Sequence, residues 1–133
     1  MSEKIEFDYF PHPKRDPKTK VLREEYYPLI STRISYGHAL GRNFLALVDS
    51  GSDFNLFTAV FGQWVGINIK KGKLMVIEGI GGNKIEGYRH EIKLYIGSRS
   101  YMTTSYFSFY HEVPLFGRKG FFSLFKKVIF NEE

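Results

Sequence analysis

The sequence predicts a mostly-β domain, a closed barrel or sandwich with one or two short helices, on three observations. Residues 88–96 alternate with period two. Tyr88, His90, Ile92, Leu94 and Ile96 fall on one face, and Arg89, Glu91, Lys93 and Tyr95 on the other, as in a half-buried strand. Runs rich in Thr, Tyr and Phe, such as "SYMTTSYFSFY" at 100–110, favour a pleated chain. Glycines cut the apolar stretches into short, closely spaced segments, the punctuation of an all-β domain.

Taken in order, residues 1–27 read as an extension before a domain at 28–131. "FPHPKRDPK" is charged and cannot run as a helix through its prolines, so the segment is expected to be partly extended or disordered. "VLREEYY" fits either a helical turn or a short strand. From Pro28 the texture changes. "LISTRISYG" alternates as a strand closed by Gly37, and "NFLALVD" is a second strand after the "HALGR" turn. "LFTAVFGQWVGI" suits a short helix or an irregular apolar segment limited by Gly62 and Gly66. "KLMVIEGIGGNKIEGYRHEIKLYIG" holds two strands around a glycine-rich tip. "VPLFGRKGFFSLFKK" reads as an apolar strand, a glycine break and a short helix whose apolar side is Phe121, Phe122 and Phe125; "VIF" is expected to be a last strand.

Composition narrows the function. The 133 residues suffice for one core, and 43% hydrophobic with 17% aromatic content suits a folded chain. No stretch approaches the roughly 20 apolar residues of a membrane span, and "MSEKIEFDYF" lacks the apolar core of a secretory signal. With no cysteine, disulfides and thiolate metal sites are excluded. A cytoplasmic protein without membrane, metal or cofactor is expected. The net charge of +5 raises nucleic acid as a partner, but the densest basic run, "PKRDPKTK", is broken by Asp16 and prolines and lacks interleaved aromatics. Nucleic acid is therefore not the expected ligand. His12, His38, His90 and His111 show no metal-ligand spacing, and His90, on an apolar strand face, reads as a hydrogen-bonded structural residue. "GIGGNKIEG" lacks the Gly-Lys-Ser/Thr ending of a phosphate loop, and no Gly-x-Ser-x-Gly elbow occurs.

The one charge that composition does not explain is Asp49, in "FLALVDSGSDFNLF". An apolar strand ends on a carboxylate followed at once by Ser50 and Gly51. Burying such a charge unpaired is costly. If the carboxylate faces a second one, the two cannot both ionise cheaply and share a proton. Such a dyad can deprotonate a water and protonate a leaving amine, which is amide hydrolysis. The chain offers this aspartate only once, and a twofold dimer places it opposite its own copy.

Here the residues resemble a known family. "LVDSGS" is similar to the active-site strand and turn of the retropepsin-like, retroviral-type aspartic proteases, whose pattern is apolar–apolar–Asp–Thr/Ser–Gly–Ala/Ser. "GIGG", Gly79 to Gly82, resembles the glycine-rich tip of their flap. "PLFGR", Pro114 to Arg118, resembles their second motif, which packs beside the catalytic turn, and "GFFSLFKKVIF" the helix and strand that follow. The matches span about residues 28 to 130. Ser50 stands where the viral enzymes have threonine, and the extension before Pro28 has no counterpart in the minimal ones.

The resemblance implies a retropepsin-type barrel with a flap hairpin, working as a homodimeric aspartic endopeptidase on peptide or protein substrates. It makes Asp49, Ser50 and Gly51 catalytic, and Ser52, Asp53, Gly79, Ile80, Gly81 and Gly82 substrate-binding. Gly117 and Arg118 become structural supports, with a partly buried, bidentate Arg118–Asp53 pair. The extension would add to the dimer interface, cover the site or dangle in solvent. The alternative is an inactive peptide-binding or dimerisation module of the same fold.

Overall fold

The computed structural model describes residues 4–78 and 82–131. Among the described residues ten strands make two sheets. The first two, β1 (Phe10–Arg15) and β2 (Leu22–Tyr27), form an antiparallel hairpin of their own, with Phe10 opposite Tyr27 and Arg15 opposite Leu22. Within the segment read from sequence as an extension, residues 10–27 thus form a hairpin, and Leu22–Tyr27 of "VLREEYY" is its second strand. Asp16 closes the turn: its carboxylate accepts the Lys18 and Thr19 N–H groups at 2.7 and 3.1 Å, and its own N–H donates to the Val21 carbonyl. The same alternation points the backbone of Pro11 and Pro13 away from β2, where a missing N–H removes no ladder bond.

The second sheet closes on itself. β3 (Leu29–Tyr36) pairs through Leu29–Thr32 with β5 (Phe44–Val48) and through Thr32–Ser35 with β8 (Lys84–Ile96). β8 turns at Gly97 into β9 (Arg99–Ser108), which runs parallel to β6 (Leu56–Thr58). The ring is completed by β10 (Leu115–Phe116), antiparallel to β6 and parallel to β5, giving a six-stranded barrel. Two strands lie outside it: β4 (Ala39–Leu40) folds back on β3, and β7 (Lys73–Glu78) extends β8 as a projecting hairpin.

The period-two reading of β8 matches its burial: Ile92, Leu94 and Ile96 are buried while Arg89, Glu91 and Lys93 are exposed. His90 does what its apolar face suggests, its Nε2 lying 2.8 Å from the Ile69 carbonyl. "LFTAVFGQWVGI" divides into β6 and α1 (Ala59–Gln63).

Most of the phenylalanines fill the barrel. Phe61 stacks on Phe44 at 4.2 Å between ring centroids, Phe44 meets Phe57 edge-on, and Phe57 meets Phe107 and Phe116 in the same way. Phe116 stacks on Phe121 at 4.3 Å, and Phe121 contacts Phe122 and Phe125. Offset and edge-on rings of this kind add to what area burial alone contributes.

Two expectations at the C-terminus are corrected. The helix after the glycine break is a single 3-10 turn, Phe122–Leu124, because aromatic residues and serine hold a short helix poorly and no side chain caps it. Val128–Phe130 is not a strand: it pairs with no strand among the described residues, and Ile129 is 79% exposed.

Phe116 links the two halves of this ring network and is fully buried. Phe116→Ala is expected to lower stability by about 3–5 kcal/mol, read as a shifted urea midpoint.

Candidate active site

Asp49 is delivered by β5, whose end is gripped from both sides. The Leu47 N–H donates to the Pro114 carbonyl and the Val48 N–H to the Pro28 carbonyl, both at 2.8 Å; the Asp49 N–H donates to the Phe116 carbonyl at 3.0 Å. Beyond Asp49 the chain turns sharply. The Ser52 N–H donates to the Asp49 carbonyl at 3.1 Å, and the Gly51 N–H to the Asp49 Oδ1 at 2.9 Å. A backbone amide thus holds one carboxylate oxygen. Asp49 is half-buried, and Ser50 and Gly51 are exposed.

The turn rests on the loop after β10. The Arg118 N–H donates to the Ser52 carbonyl and the Lys119 N–H to the Asp53 carbonyl, at 2.9 and 2.8 Å. Gly117 is required there, because a Cβ at that position would overlap the Phe54 carbonyl. The Ser52 hydroxyl is committed to the Phe54 carbonyl at 2.7 Å.

The Arg118–Asp53 pair forms, but differently from the expectation. One bond joins Nη2 to Oδ1, and the side chains are 62% and 54% exposed, so the pair is neither bidentate nor buried in the single chain. It lies at the rim of two surface loops, exposed among the described residues. The Arg118 hydrogen bond, then its charge, holds the Asp53 carboxyl below its ordinary value. Gly82 has a positive φ of 80° beside the tip of the β7–β8 hairpin. Gly79, Ile80 and Gly81 lie outside the described residues.

A residue that the sequence reading passed over ties the site together. Asn55 is fully buried. Its Oδ1 accepts the Gly117 N–H at 3.0 Å, and its Nδ2 donates to the Ser105 hydroxyl at 3.3 Å and reaches the Thr104 carbonyl at 3.5 Å. One amide therefore joins the turn after Asp49, the Gly117 loop and β9. The available signal was an amide between Phe54 and Leu56 in an apolar run, a placement that demands internal partners.

Asn55→Leu keeps the branched side-chain skeleton but strands the Gly117 N–H. A loss of about 2–3 kcal/mol is expected, measured by urea unfolding. The Asp53 carboxyl binds its proton less tightly folded than unfolded, so its contribution is present above its ordinary value of 3.8 and lost as pH falls through the lower, folded value. Asp53→Asn should thus destabilise at neutral pH and make less and less difference below about pH 4, followed by thermal melts from pH 7 to 2.

No family model matches this chain, and no curated protein matches its sequence. Its structure is similar to that of EIAV protease complexed with the inhibitor HBY-793, with a TM-score of 0.59 over 78% of this chain and 93% of that one, at 19% identity. The β-barrel that carries Asp49 is therefore of the retroviral protease type.

Proposed function

We propose that the chain is a homodimeric aspartic endopeptidase in which Asp49 of each subunit supplies half of the active site. The observation that carries the reading is the Asp49 turn: a half-buried carboxylate at a strand end, one oxygen held by the Gly51 N–H, flanked by exposed residues and built on a barrel of retroviral protease type. The nearby Asp53 is engaged by Arg118 and is unsuited to be the second catalytic carboxylate. A twofold partner brings that carboxylate as its own Asp49.

In such a dyad one carboxyl is protonated and the other ionised. The ionised group takes a proton from a bound water, whose oxygen attacks the peptide carbonyl carbon, while the protonated group donates to the carbonyl oxygen. The first carboxyl then gives its proton to the amide nitrogen while the second takes one back from a hydroxyl of the tetrahedral intermediate, so the C–N bond breaks, the amine and the carboxylic acid leave, and the pair is again singly protonated. Ser50 would brace the two turns across the dimer. Ser52, Asp53 and the tip residues Gly79, Ile80, Gly81 and Gly82 would line an extended substrate, the β7–β8 hairpin closing over it. Leu74 and Val76, 49% and 55% exposed on that hairpin, give it an apolar surface to lay against peptide or partner.

The test is cleavage of denatured protein or a peptide library from acid to neutral pH, with sedimentation run on the same samples. A bell-shaped pH profile is expected for the wild type, because activity needs one carboxyl in each protonation state. Asp49→Asn should lose about 10²–10⁴-fold or more in rate, and the particle should have about twice the 15.5 kDa of one chain. Equal cleavage by the variant, or a strict monomer, would remove the dyad. Intact dimers that bind peptide without cutting it would favour the inactive module.

A further inference from the structure

A groove of about 810 Å³ opens on the barrel wall where β7, the turn after β3 and the middle of β8 converge. Four cations line it: Lys71, Lys73, Arg89 and Lys93. The only carboxylate among its lining residues is Glu91, so the groove carries net +3 of the chain's +5. Among the described residues none of the four cations has an ion-pair partner. Lys73 and Arg89 face each other directly across the β7–β8 ladder. Like charges in that register repel, and among the described residues no carboxylate forms an ion pair with either. The groove is remote from Asp49: Pro28 bonds β5 beside Asp49, and Ser35 on the groove wall lies seven residues further along β3, on the order of 20 Å.

From this arrangement we infer that the groove is an anion-binding exosite for an acidic, extended segment of the protein substrate. The pattern along β8 selects the occupant. Arg89, Glu91 and Lys93 succeed one another on its exposed face, positive, negative, positive, about 6.6 Å apart. A nucleic-acid backbone is negative at every step and would set a phosphate against Glu91. A peptide strand has the same two-residue repeat as β8, so it can place acidic residues at i and i+4 and a basic or polar one at i+2. Its carboxylates then meet Arg89 and Lys93, with Lys71 and Lys73 reinforcing the first, and Tyr36 offers an exposed ring on the opposite wall. Carboxylate–cation bonds of this kind are charge-assisted and also steer encounter. With cleavage at Asp49, the acidic tract lies about six or more residues from the scissile bond.

This inference rests on the protease reading for the identity of its ligand, and two arms separate the failures. In the first, the full-length Asp49→Asn protein is titrated against a labelled 12-residue peptide with glutamates four apart. Its Gln counterpart and an oligothymidylate of equal charge serve as controls, with anisotropy read at low and physiological salt. Binding of the acidic peptide, at least tenfold tighter than the Gln peptide and lost in Arg89→Gln/Lys93→Gln, supports the site. Equal binding of the Gln peptide, indifference to the double substitution, or tighter binding of the oligonucleotide overturns it. In the second arm, a cleavable peptide is compared with and without the acidic tract. A kcat/KM ratio near tenfold in the wild type that falls to about one in the double variant supports the exosite, and an unchanged ratio overturns it. Groove-dependent binding with no cleavage of any substrate would uphold the anion site and remove the protease reading alone.

Discussion

The constraint on which the Asp49 turn depends is the insertion of the two-residue strand Leu115–Phe116 between β5 and β6. Its parallel partner is β5, which ends just before Asp49, and its antiparallel partner is the strand that begins after the turn. Residues 49–55 must therefore cross over the end of β10 to reach β6, which forces a tight loop at the surface and not a hairpin. The Asp49 N–H is consumed by Phe116 itself. Without β10, β5 and β6 would have neighbouring free edges and the carboxylate no fixed position.

The same insertion sets two loops side by side, and their contacts are almost all made by backbone. Arg118 and Lys119 donate through their amides to Ser52 and Asp53, and Gly117 donates to the Asn55 side chain. Side-chain charge contributes little by comparison, since the Arg118–Asp53 pair stands in solvent in the single chain. The turn is thus held by backbone amides and by the buried Asn55 side chain, while the residues it displays, Ser50 and Gly51, are left exposed. That division, a fixed underside and an open face, is what a second copy of the chain would need.

Legibility in the sequence followed the range of the interactions. β8 was visible because period-two alternation is a local signal, and His90 was placed on its inner face by the same count. The Asp49 turn was visible because a carboxylate and a glycine interrupt an apolar run. The parallel pairing of Leu47 with Leu115 leaves no trace in either local pattern, so β10 was placed beside the turn only by the resemblance of "PLFGR" to the family's second motif. Asn55 was missed for a related reason: its three partners lie 49 to 62 residues away. The misread C-terminus shows the reverse error. "VIF" has every local mark of a strand, yet a strand also needs a pairing partner, and among the described residues Val128–Phe130 has none.

One detail of the amino-terminal hairpin bears on how the molecule survives at high concentration. β1 presents its outer rim to solvent, and an uncovered rim of this sort is where a foreign strand can add and a fibre begin. Pro11 and Pro13 fall on that rim and leave it without donors at two successive outward positions. Lys14 and Arg15 follow at the end of the strand and add like-charge repulsion between copies. Along β1, then, the hairpin offers a foreign strand a broken and charged ladder on which open-ended sheet growth cannot readily start.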